Sequence, residues 1–209
     1  NPFSTFKCRT PKTRKTLWTR EQVKQFLDYA YSNFKTRNLG LIVQMAYEWC
    51  QRIGDMRLLK FEYIDFDNGI LHLEQSKRRA TVHLPISDEL LSMLVQQKED
   101  YGFQEYVAPT PNAIRGAYKP YSLHGISKLG RKAMSSAGLS NELRLADLRR
   151  TGTTEMVEAG VSMGQIMSVT GHANPNSVMP YMKNTYLSAK KALTTRESVV
   201  ISTRQVPNS

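Results

Sequence analysis

Cysteine is nearly absent: the 209 residues hold two, Cys8 and Cys50. One sits in a basic arm and the other in an apolar stretch, which excludes a disulfide framework and a cysteine zinc site. Long hydrophobic runs are missing as well. No segment reaches membrane-spanning length and no secretory signal opens the chain, so the expected compartment is a reducing, cytoplasmic one. There is no internal repeat and no low-complexity tract. Acidic residues are in deficit, 18 against 29 Lys and Arg, for a formal charge of +11. That surplus favours a polyanionic partner, nucleic acid or an acidic membrane surface. What is present in quantity is apolar: 40% of residues, enough for a real core in one large domain or two small ones.

Residues 1–17 are polar and basic, carrying Lys7, Arg9, Lys12, Arg14 and Lys15 between Pro2 and Pro11. They read as an extended arm or linker. Thr19 with Gln22 is a capping box that opens a helix through Phe26, Leu27 and Ala30. A second helix is expected from about Leu39 to Gln51, with Leu41, Ile42, Met45, Ala46 and Trp49 at core spacing. The period then changes. Tyr63–Phe66, a turn at Asp67-Asn68-Gly69, Ile70–Glu74 and Ala80–Pro85 predict a three-stranded antiparallel sheet with Lys77 at a turn on its edge. Ser87 caps a further helix, and a loop rich in glycine and proline covers about 107–120. Helices are expected near 122–136, 147–159, 162–170, 174–183 and 186–195, and a polar tail follows from about Ile201. The fold class is therefore α+β and mainly helical, with a small sheet to one side.

Five chemistry-bearing side chains stand out. Arg52 lies in Gln51-Arg52-Ile53-Gly54-Asp55, Lys77 in Gln75-Ser76-Lys77-Arg78-Arg79, and Arg149 in Asp147-Leu148-Arg149-Arg150-Thr151. His172 follows Gly171, and Tyr181 sits in Met179-Pro180-Tyr181-Met182-Lys183. Guanidinium is a planar fork that binds two phosphate oxygens at once, and a phenol can become a covalent nucleophile. Together these groups can hold a phosphodiester and attack it without a metal.

The boxes, in this order and with these gaps, resemble the catalytic domain of the tyrosine recombinases, the phage integrase family, over about Thr19 to Ala192. The resemblance implies residues 18–200 as the catalytic domain, 1–17 as the linker from an upstream core-binding domain, and 201–209 as a tail. It implies DNA strand cleavage and rejoining in site-specific recombination through a 3′-phosphotyrosyl intermediate, with no metal and no cofactor. The implied partners are double-stranded DNA attachment sites, a homotetramer in the synaptic complex and accessory DNA-bending proteins; the isolated chain is compatible with a monomer. The implied location is the bacterial cytoplasm, on DNA.

Residue by residue, the resemblance implies Arg52 and Arg149 as the clamp on the scissile phosphate and Lys77 as general acid to the departing 5′ oxygen. Tyr181 is the nucleophile, with Tyr186, five residues on, as its rival. His172 bonds the phosphate or takes the proton. Asp55 buttresses Arg52 or a nearby amide. Arg78, Arg79, Arg150 and Lys183 contact DNA, while His72, His83 and His124 are structural or DNA-facing. One departure is plain: where the second box usually reads His-x-x-Arg, this chain has Ala146, and a methyl group neither accepts nor donates a proton. Adjacent Asp147 is expected on another side of a helix. Two alternatives stay open, a DNA-binding module with impaired catalysis and a type IB topoisomerase-like relaxing enzyme.

Overall fold

The computed structural model describes residues 16–77, 79–113, 115–182 and 189–197. Most of the basic arm and all of the tail from 201 lie outside that set, as do Arg78, Lys183 and Tyr186. The expected cap is present on α1 (Arg20–Tyr31): the Thr19 hydroxyl accepts from the Gln22 amide at 3.2 Å and Gln22 Oε1 accepts from the Thr19 amide at 2.9 Å. The helix α2 (Phe34–Glu48) begins earlier than Leu39, because Asn33 caps it by accepting from the Lys35 amide at 2.9 Å. Every residue from Leu39 to Ala46 is buried. A helix apolar on all faces belongs inside, and α2 is the central rod against which α1, α5 (Leu123–Ser136) and α6 (Leu148–Ala159) pack.

After α2 the chain makes a short helical turn, α3 (Ile53–Met56), and then builds the sheet. Strands β1 (Ile64–Asp65), β2 (Ile70–Glu74) and β3 (Thr81–Pro85) are antiparallel in the order β1-β2-β3. Register Leu71↔Leu84 and Leu73↔Val82 turns one face to the core. The alternate pair His72↔His83 faces outward, with its two Nδ1 atoms 2.7 Å apart. The first strand is shorter than the sequence pattern: Phe61–Tyr63 coil into a 3-10 turn, and the Asp65 carboxylate accepts from the Asp67 and Asn68 amides at 3.1 and 3.0 Å, ending the strand there. Helices α4 (Asp88–Tyr101), α5, α6 and α7 (Met163–Thr170) follow where the periodicity places them.

The expected helix over 174–183 is not formed. Two 3-10 turns, Pro175–Ser177 and Met179–Tyr181, replace it. Pro175 and Pro180 each remove an amide donor and clash with the preceding turn, so a continuous α-helix is excluded. Residues 189–197 are helical, and Lys191 Nζ donates to the Ala159 carbonyl at 2.7 Å. No helix among the described residues is long and apolar enough to cross a membrane.

Candidate active site

The loop after α2 carries the first arginine. Helix α2 stops at Glu48, not at Gln51, because Cys50 turns into the left-handed region (φ 52°). Cys50 fits there because α6 offers no side chain opposite it: a Cβ on Gly152 would come within 2.5 Å of its Sγ. The turn sends Gln51 inward, fully buried, and presents Arg52 at the start of α3. Arg52 Nη1 donates to Gln75 Oε1 at 3.0 Å and lies 3.5 Å from Asp55 Oδ2. The other Asp55 oxygen accepts from both the amide and the hydroxyl of Ser76. Asp55 thus links Arg52 to the hairpin end that bears Lys77.

The second arginine comes from α6 and is buried, at 8% exposure. Arg149 Nη2 donates to the Thr170 carbonyl at 2.6 Å and lies 3.2 Å from His172 Nε2; Nη1 donates to Gln51 Oε1 at 3.4 Å. Burial first, and then the neighbouring Arg52 charge, push Arg149 down to about 10, so it stays cationic at neutral pH. Two fully buried glutamines join the halves. Gln75 Nε2 donates to Gln51 Oε1 at 2.7 Å and to the Thr170 carbonyl at 2.8 Å, while Gln51 Nε2 donates to the Trp49 and Val169 carbonyls, each at 2.8 Å. One continuous chain of hydrogen bonds therefore runs Arg52, Gln75, Gln51, Arg149. These glutamines escape a search for reactive side chains. Their one sequence signal is position: Gln51 adjoins Arg52, and Gln75 stands two residues before Lys77.

Helix α7 ends at Gly171 (φ 67°), whose missing side chain makes room for Gln75; a Cβ there would meet Gln75 Nε2 at 2.7 Å. The left-handed turn aims His172 back at Arg149. Tyr181 closes the site from the Met179–Tyr181 turn, with its ring centroid 6.4 Å from that of His172. Arg52, Arg149, Arg150, His172 and Tyr181 line one cavity of about 510 Å³. Four of the five predicted catalytic side chains are brought together. Lys77 is exposed on the β2–β3 turn and does not line the cavity; Arg79 is exposed on the same turn.

Ala146 and Asp147 both line the cavity. The expectation that Asp147 would face elsewhere assumed an α-helix, whereas Leu145–Asp147 form a 3-10 turn with a different angular step. Arg131 and Arg144 also line it, unforeseen. Arg131 continues into a second hollow of about 650 Å³ bordered by His124, Lys128 and Lys132 on α5. The i, i+4, i+7, i+8 spacing of those four side chains was the available signal. No group of three or more candidate metal ligands occurs among the described residues.

The model of the phage integrase family matches residues 17–187. The chain belongs to the phage integrase family. It is 27% identical over 195 residues to tyrosine recombinase XerA of Pyrococcus furiosus, covering 90% of this chain and 65% of that protein. It is 24% identical over 151 residues to the shufflon-specific DNA recombinase of Escherichia coli, covering 71% of this chain and 36% of that protein. The Tn1549 transposon integrase, solved in complex with a circular intermediate DNA, shares the fold at TM-score 0.73 and 12% identity, covering 90% of this chain and 68% of that one. The chain spans less than two thirds of the length of these two curated relatives. The helical fold with its three-stranded sheet is that of the family's catalytic domains.

Proposed function

We propose that this chain is the catalytic domain of a tyrosine-type site-specific DNA recombinase serving a phage or other mobile element. The observation that carries the reading is the convergence of Arg52, Arg149, His172 and Tyr181 on one basic cavity. A phosphodiester seated there places its non-bridging oxygens against two guanidiniums fixed before substrate arrives, which is where charge grows in the transition state. Tyr181 Oη attacks phosphorus and the P–O5′ bond breaks. Lys77 delivers a proton to the leaving oxygen once its turn swings over the cavity. The product is a 3′-phosphotyrosyl strand and a free 5′ hydroxyl, and the reverse path rejoins them. Arg150, Arg79, Arg78 and Lys183 bind flanking phosphates. Duplex attachment sites are the substrate, a homotetramer assembles on two of them, and the protein works on DNA in a bacterial cytoplasm.

The test is covalent capture. The chain is incubated with nicked duplexes of randomised core sequence, and adducts that survive denaturation are selected. The expected result is an adduct that Tyr181→Phe abolishes and Tyr186→Phe leaves. An adduct lost only in Tyr186→Phe moves the nucleophile. DNA binding without any adduct makes the chain a binding module, and relaxation of supercoiled plasmid lacking the selected core makes it topoisomerase-like.

A further inference from the structure

Ala146 leaves the cavity without the histidine usual at that position, and the hydrogen bonds around His172 show what stands in. Thr170 is fully buried at the end of α7. Its hydroxyl donates to the Ile166 carbonyl at 2.7 Å and lies 2.8 Å from His172 Nδ1. A hydroxyl has one proton. With that proton committed to Ile166, Thr170 Oγ1 can only accept from the ring, so Nδ1 carries the hydrogen. The opposite edge gives the same answer independently. Arg149 Nη2 lies 3.2 Å from Nε2, and a guanidinium only donates, so Nε2 presents its lone pair. The reverse tautomer would set two N–H groups head to head at Arg149 and turn the Thr170 hydroxyl hydrogen away from the Ile166 carbonyl, leaving two oxygens 2.7 Å apart with no hydrogen of that hydroxyl between them.

We propose that Thr170 is a positioning residue that holds His172 as the neutral Nδ1–H imidazole, so that Nε2 is the base that accepts the proton of Tyr181. This rests on Tyr181 being the nucleophile. In that tautomer Nε2 has no hydrogen to give a phosphate oxygen, so His172 is an acceptor here and not a phosphate donor. Among the described residues, the charged and titratable groups that line its cavity are Arg149 and Arg150 from α6, Arg52 from the turn before α3, Tyr181 from its own turn, Asp147 and Arg144 from the turn before α6, and Arg131 from α5. An arriving phosphate is a stronger acceptor for Arg149 than an imidazole and draws that donor off Nε2. The freed lone pair then takes the phenolic hydrogen: the Oη–H bond breaks, Nε2–H forms, and the oxygen's electron pair makes the Oη–P bond as P–O5′ breaks. Lys77 supplies the proton that O5′ gains. Rejoining returns the His172 proton to Tyr181, so neither step needs a further reactant. The same residue's carbonyl holds Arg149 and Gln75, so Thr170 sets base and clamp together.

The test uses the duplex selected above and the whole chain. Thr170→Val keeps the shape and removes the hydroxyl; cleavage is expected to fall about a hundredfold, the scale of a positioned base. Thr170→Ser, which keeps the hydroxyl, is expected to recover most of it. Placing 3,5-difluorotyrosine at position 181 makes the phenol more acidic. It is expected to bring both Thr170→Val and His172→Ala back to within about tenfold of the wild type, while Arg149→Ala stays inactive. Nitrogen-15 spectra of the DNA-free protein are expected to show His172 protonated at Nδ1 and bare at Nε2. An Nε2-protonated ring, or failure of the acidic phenol to rescue, overturns the proposal. If Asp147→Asn is slowed and rescued instead, the base is Asp147. An adduct that persists in Tyr181→Phe refutes the nucleophile reading itself, a result distinct from all of these.

Discussion

Gln75→Met is the sharpest probe of how the two arginines are held. Methionine matches the volume of glutamine closely, so the change removes polarity and little shape. Three hydrogen bonds go: those to Gln51 Oε1 (2.7 Å), to the Thr170 carbonyl (2.8 Å) and from Arg52 (3.0 Å). The two neutral ones are worth about 0.5–1.5 kcal/mol each and the one to guanidinium about 1.5–3 kcal/mol. No partner is left wholly bare. Arg149 still donates to Gln51 Oε1 and to the Thr170 carbonyl, and Asp55 Oδ2 still lies 3.5 Å from Arg52. The net loss is therefore set at about 2–4 kcal/mol. For a domain of this size that lowers Tm by roughly 5–15 °C. Cleavage of the selected duplex falls further than stability explains, because a guanidinium displaced by about 1 Å costs on the order of a hundredfold. Thermal unfolding and single-turnover adduct formation, both well below Tm, measure the two effects. Gln25→Met is the control, since Gln25 is exposed and makes one bond, to the Ala137 carbonyl; it is expected within about 0.5 kcal/mol of wild type. A Gln75→Met protein with unchanged Tm and unchanged cleavage refutes the idea that the buried amides frame the site.

Other outcomes follow from the same geometry. Gly152→Ala drives a methyl against Cys50 Sγ and the Tyr47 carbonyl, and is expected to cost about 1–3 kcal/mol and to slow cleavage by shifting Arg52; denaturant melts check the first and adduct formation the second. Ala146→His changes wild-type cleavage less than about tenfold if His172 already serves as base, yet restores much of the roughly hundredfold loss in Thr170→Val. Lys128→Ala and Arg131→Ala each flatten the dependence of log K on log salt by about 0.9 if they meet phosphates, read by fluorescence anisotropy. Burial pushes the Cys50 thiol up from 9.0 to about 11. The folded state then binds the extra proton, so this group's contribution is intact below pH 9 and is lost as pH rises from 9 to 11. On a Cys8→Ser background, Cys50→Ala removes that part of the alkaline loss of stability.

The sequence showed most of the scaffold because its signals are local. Thr19 with Gln22, Ser87 and the Asn68-Gly69 turn each specify their element through neighbours a few residues away. The early start of α2 was hidden because Asn33 is a weaker pattern than the apolar run that follows it. The expected helix around Tyr181 gives way to two 3-10 turns because Pro175 and Pro180 interrupt the segment, and the prolines decide. The four side chains that meet at the cavity, Arg52, Arg149, His172 and Tyr181, were legible as reactive types at family-like gaps. Gln51 and Gln75 were not, since an amide becomes part of a site only when a partner over 20 residues away meets it, as Gln75 does Gln51; Thr170 was not because it joins the site through its backbone carbonyl, which Gln75 and Arg149 meet from far along the chain.

That dependence on distant partners says what the site is built to do. Arg52, Gln75, Arg149 and Thr170 come from four separate stretches of chain, and no two of them are held by local structure alone. Two cations facing one cavity repel, and burial of one adds to the cost; both effects are visible in the lowered Arg149. Besides the Asp55 carboxylate 3.5 Å from Arg52, a frame of neutral acceptors keeps them there in the absence of DNA: the Gln75 and Gln51 amide oxygens and the Thr170 carbonyl. Neutral acceptors satisfy the donors without cancelling the charge, which a second carboxylate beside Arg149 would do. The positive potential therefore stays available. On the proposed function, a phosphodiester entering the cavity offsets the repulsion between the two cations, and it does so most strongly when its charge is greatest, at the pentacoordinate transition state.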